Sequence, residues 1–224
     1  MAFIQDGRAV AGNAAVENMQ KAQRVAHVAR SNRNFGVAEA TGTIAAALAI
    51  NSAIFAMRLS PSSPVLAFIE RIRIQYTTIV AYTTPVTAGR RLGVYLGTSS
   101  ASPSGGTAIA TVGKKDRTSP DSQFEAAQGG DARVATTGAL TVTGSTFDTN
   151  AMALMSLVHV GAAGAFVEEI FEFNASESAP LILQPGNVIA IRNPVAMDAA
   201  GTWQATVRVD WHEGLALSSS VADS

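Results

Sequence analysis

Cysteine is absent from the 224-residue chain, which excludes a disulfide framework, thiolate metal sites and thiol nucleophiles together. Any stabilisation must come from packing or assembly. Charge is also scarce: Asp, Glu, Lys and Arg make up 15% of the chain, against roughly 25% in an average globular protein. The net charge of −1 gives no field that would draw in nucleic acid or an anionic membrane. Long hydrophobic runs are missing as well. The most apolar window, Ile44–Leu59, is interrupted by Asn51, Ser52 and Arg58 and falls short of the ~20 residues a spanning helix needs. No membrane segment is expected. The first ten residues, MAFIQDGRAV, lack a basic stretch followed by an apolar one, so no secretory signal is expected and synthesis should leave the chain in a cytoplasm.

What is there is apolar and small. Hydrophobic residues make up 47% of the chain and glycine contributes 19 positions, enough for one β domain with an appended arm. The clearest grammar lies in Pro180–Glu213. Trp203, Ala205, Val207, Val209 and Trp211 alternate with Gln204, Thr206, Arg208 and Asp210, a period of two that predicts a strand with one row in a core and the other in water. Leu181–Leu183 and Val188–Ile191 are short apolar runs on either side of a Gln184-Pro185-Gly186-Asn187 turn,.

Three regions follow: an arm over 1–36, a β body over 37–213 and a tail over 214–224. Within the arm, Asn13–Arg33 reads as the one convincing helix, with Asn13 to cap it, Glu17 in its first turn and Arg30 and Arg33 at its end,. Its stripe of Val16, Met19, Ala22, Ala26 and Ala29 would bury little area alone, so the helix needs a partner. Arg8, Lys21, Arg24, Arg30 and Arg33 outnumber Asp6 and Glu17 by three, leaving the rest of the chain at about −4,. Two readings stay open: a solvated leader, or an arm that docks on another subunit or partner, with Lys21, Arg24, Arg30 and Arg33 as its candidate assembly contacts.

In the body, Thr41–Ile50 and Ser52–Leu59 read as a strand pair bent at Asn51-Ser52. Phe68–Tyr82 alternates Ile72, Ile74 and Tyr76 with Arg71, Arg73 and Gln75,. Leu92–Leu96, Thr136–Thr143, Met152–Val160 and Ala165–Phe173 supply further strands, the last drawing core weight from Phe166, Ile170 and Phe171. Thr98–Gly106 is a loop, and Gly113–Gly130 a long polar excursion that should contact something. The pattern predicts a mainly β fold, a jelly roll or two-sheet antiparallel sandwich, with immunoglobulin-like packing as the alternative.

Catalytic constellations are hard to find. The histidines, His27, His159 and His212, lack the paired spacing of a β-barrel metal centre. Glu168, Glu169 and Glu172 carry negative charge, yet adjacent strand residues face opposite sides and cannot form a glycosidase pair. The arginines of Phe68–Tyr82 suggest phosphate binding, but a solvated face or subunit contact explains them more simply. Neither GxSxG, a P-loop, HExxH nor an EF-hand loop is present,. No enzyme activity, cofactor, metal or nucleic-acid partner is expected.

The segments FIERIRIQYTTIVAYTTPVTAGRRLGVYLG (Phe68–Gly97) and APLILQPGNVIAIRNPVAMDAAGTWQATVRVDWHE (Ala179–Glu213) together resemble a recurrent type of small structural protein encoded by tailed bacteriophages. The resemblance implies a jelly-roll or β-sandwich virion component assembled in the host bacterial cytoplasm. It implies a capsid decoration or cement protein that forms a homo-oligomer and contacts the major capsid protein or other virion proteins. The alternative is a tail or head-fibre module whose loops, Thr98–Gly106 and Gly113–Gly130, hold a host carbohydrate. No catalytic residue carries over.

Overall fold

The computed structural model describes residues 33–83, 89–157, 161–173 and 181–214. The expected arm helix up to residue 32, the tail from residue 215 and His159 lie outside them. In chain order the strands are β1 (Asn34–Ala40), β2 (Ala53–Arg58), β3 (Leu66–Val80), β4 (Arg91–Ser99), β5 (Thr107–Ala108), β6 (Gly113–Lys114), β7 (Asp131–Val134), β8 (Ser145–Phe147), β9 (Ala153–Ser156), β10 (Phe166–Glu172), β11 (Leu181–Leu183), β12 (Asn187–Arg192) and β13 (Thr202–Gly214). The β body therefore begins at Asn34 rather than Val37, and Gly214 still belongs to its last strand.

One sheet has the order β10-β3-β13-β1-β6, with β11 also on β3, and the other β5-β7-β2-β12-β4-β8, with β9 also on β4. The pairings are antiparallel. A single core draws Phe35, Ile72, Ile74, Val207 and Trp211 from the first sheet and Phe55, Met57, Leu92, Val94 and Ile189 from the second. The fold is a two-sheet antiparallel sandwich.

The alternation expected of β13 holds. Trp203, Val207 and Trp211 are fully buried and Val209 nearly so, because β13 lies between β3 and β1 with one face on the other sheet. Trp203 stacks on Tyr76 at 5.0 Å and Trp211 on Phe35 at 5.7 Å, while Phe124 meets Trp211 edge-on at 5.3 Å. The Gly113–Gly130 excursion is thus no free loop. It drives Phe124 into the core and closes on itself through the 3-10 turn Ala126–Gln128.

Three expectations fail. Thr136–Thr143 is not a strand: residues 136–138 form a bend, and only Leu140 and Thr141 make isolated bridges, to Ala53 and Ser104. Thr41–Ile50 is not a strand but an irregular crossing between the sheets. Thr41 N–H donates to Ala205 O of the first sheet, Gly42 N–H to Ala135 O and Ala45 N–H to Thr137 O. Positive φ angles of 60° at Ala47 and 62° at Asn51 break any ladder there. In β10 the parity is opposite to the expected one for two residues: Phe166 is 66% and Ile170 49% exposed, while Val167 and Phe171 pack on the core. The cause is pairing with β3. Phe171 sits beside inward Ile72, which places Ile170 beside outward Arg73,.

Candidate assembly site

The last strand carries two carboxylates that organise their surroundings from opposite faces. Glu213 continues the inward row of β13 and is fully buried. It accepts hydrogen bonds from Ser122 Oγ at 2.6 Å, Gln123 N–H at 2.9 Å, Arg33 Nη2 at 3.2 Å and, more weakly, Trp211 Nε1 at 3.4 Å. Arg33 is held by its backbone too, since its carbonyl accepts Glu213 N–H at 3.0 Å. Burial pushes the Glu213 carboxyl above its ordinary range, only partly opposed by Ser122, Gln123 and the Arg33 guanidinium,. One side chain thereby joins the root of the N-terminal segment, the excursion and the final strand.

Asp210 lies on the outer face, in the row expected to meet water, yet its side chain is only 2% exposed. Cations cover it. Arg71 donates through Nε at 3.1 Å and Nη2 at 2.8 Å, Arg208 through Nε at 3.1 Å and Nη2 at 3.2 Å, and Lys115 lies 3.2 Å away. Burial raises the Asp210 carboxyl, but the bonds from Arg208, Arg71 and Lys115 outweigh it and hold the group at about 2,. Gly36 makes this packing possible, because a Cβ there would stand 3.0 Å from Asp210 Oδ1. A shallow depression of about 250 Å³ opens above, between Gly36, Ala38, Lys114, Lys115, Arg208 and Asp210. A second, of about 190 Å³, adjoins it over Ala38, Arg73 and Arg208.

The other singled-out groups are in structural use. Arg73 donates to Glu168 Oε2 at 2.6 Å, so the arginine row of β3 faces carboxylates of its own sheet. His212 stacks on Phe68 at 4.7 Å and its Nδ1 lies 3.0 Å from Glu70. Arg90 pairs with Asp198 and sits 4.0 Å from the centre of the Tyr82 ring, whose hydroxyl bonds to that of Tyr76. Burial pushes the Tyr82 hydroxyl up to about 12. Among the described residues no group of three His, Asp or Glu side chains could hold a metal ion.

Of the candidate assembly contacts, Lys21, Arg24 and Arg30 lie outside the described residues, and Arg33 is committed to Glu213. Sequence reasoning passed over Asp210 and Glu213. Glu213 had a signal, since a carboxylate at the next inward position after Trp211 must find donors. Arg208 had one as well, two residues from Asp210 on the same face, but the approach of Arg71 and Lys115 had none, because it depends on strand pairings distant in sequence.

No known protein family matches this chain. No curated protein matches it either. Its function must be argued from the site itself.

Proposed function

We propose that the chain is a non-enzymatic structural component of a bacteriophage virion. In this reading it is a capsid-associated decoration or cement protein with a jelly-roll body, and it forms a homo-oligomer. Its basic N-terminal segment and its loops would bind the major capsid protein or other virion proteins. The observation that supports this best is the fastening of Arg33 to buried Glu213 by side chain and backbone. A segment that clamps a neighbour transmits force only if its root is rigid, and here the root is tied into the core strand. The buried carboxylates Asp210 and Glu213 link elements distant in sequence.

The carbohydrate-binding reading loses support. Phe124 is the one aromatic residue in the two loops assigned to it, and its ring is fully buried against Trp211, where no sugar could stack.

The test is co-sedimentation with purified capsids of the encoding phage. Full-length protein should bind them saturably. A chain shortened to begin at Arg33, which keeps β1 whole, should stay folded by circular dichroism and lose binding. Equal capsid occupancy by both chains would move attachment to the body, and no binding by either would end the capsid reading.

A further inference from the structure

The first sheet has two unlike edges. At one, β10 pairs only with β3 among the described residues. Thr78 N–H donates to Ala165 O and Phe173 N–H to Glu70 O, so the odd-numbered residues of β10 bond inward to β3. The backbone groups of Phe166, Glu168 and Ile170 therefore point away from the sheet. At the other edge, β6 covers β1 only over Phe35 and Gly36. Thr41 N–H donates to Ala205 O and Lys115 N–H to Asn34 O, so Ala38 and Ala40 also direct their backbone groups outward.

These edges match in four respects. In direction, β10 and β13 run one way and β3 and β1 the other, so a second copy in the same orientation would bring its β10 antiparallel to β1. In phase, the outward-bonding residues of both edges carry their side chains on the same outer face, so pairing them keeps inner face with inner face. In size, with Glu168 opposite Ala40, exposed Ile170 would lie opposite Ala38, above the depression beside Gly36,. In charge, the outer face of β10 brings Glu168 and Glu172, whereas Lys115 and Arg208 line that depression.

We infer that copies of this chain associate head to tail, the β10 edge of one pairing with the β1–β6 edge of the next to continue the sheet. The contact is heterologous, so it closes into rings or extends as filaments according to the rotation per step. It deepens the homo-oligomer part of the proposed function, but it is tested on the isolated chain without capsids. The two readings can therefore fail separately.

Sedimentation velocity of the full-length chain over a concentration series should show mass rising beyond the monomer. Ile170→Lys, at an exposed position, should leave the circular dichroism spectrum unchanged and hold the chain monomeric. Two charge-altered variants at exposed or partly exposed positions provide a check that does not depend on that substitution: Glu168→Lys with Glu172→Lys, and Ala38→Glu with Ala40→Glu. Each alone should be monomeric, and an equimolar mixture should regain wild-type mass, since both alternating interfaces are again complementary. A wild-type chain that stays monomeric, association that survives Ile170→Lys, or a mixture that stays monomeric would each overturn the inference.

Discussion

Asp210 and Glu213 stand on the same strand, yet their protonation is pushed in opposite directions. Asp210 keeps a pKa of about 2 in the fold against an ordinary 3.8. Its ionised form therefore stabilises the native state above about pH 4, and that contribution is lost as pH falls toward about 2. Asp210→Asn should lower the melting temperature at neutral pH, with the gap to wild type closing as pH drops through this window. Glu213, raised above its ordinary 4.5, has the reverse sign. Its contribution is complete below about pH 4.5 and is lost as pH rises through the raised value. Glu213→Gln keeps an oxygen acceptor for Ser122 and Gln123 while removing the buried charge. At neutral pH it should melt no lower than wild type, and any advantage should disappear in acid; a large loss at neutral pH would mean that the Arg33 bond outweighs burial.

Among the elements, β13 was legible because a period of two with two tryptophans leaves one register that buries both. The same logic predicts that Val207→Asp, which places an unpaired carboxylate at a fully buried site, costs more than about 4 kcal/mol, readable by urea unfolding. The crossing at Thr41–Ser52 was illegible because its alanines suit several conformations, and its course is set by bonds to Ala135, Thr137 and Ala205. Gly42 is the fixed point of that crossing: a Cβ would stand 2.2 Å from the Thr136 carbonyl, a backbone atom that cannot move aside alone. Gly42→Ala should therefore cost roughly 1–3 kcal/mol by overpacking, and an unchanged urea midpoint would show that the crossing relaxes freely. β10 was misread for a related reason. Its three glutamates and three large apolar residues do not alternate, so the sequence has no preferred face, and β3 decides.

For the whole molecule the governing feature is the separation of charge between a basic N-terminal segment and an acidic body. Of the four candidate contacts, Arg33 alone lies among the described residues. Arg33 belongs to the body, its guanidinium 3.2 Å from a carboxylate with no exposed surface. Removing it strands the Glu213 charge in the core, where losing a charged partner costs about 1–3 kcal/mol. Arg33→Ala should thus lower the melting temperature at neutral pH, and adding Glu213→Gln should recover most of that loss. Lys21, Arg24 and Arg30 precede the braced root and contribute only charge to the argument. Changed together to Ala, they should leave the melting temperature unaltered while weakening capsid attachment. Salt should sharpen the deficit, because ions screen the charge contacts that remain. Should the triple variant bind capsids as wild type does across the salt range, while Arg33→Ala alone abolishes binding, attachment would depend on the shape of the braced body rather than on the charge of the segment that leaves it.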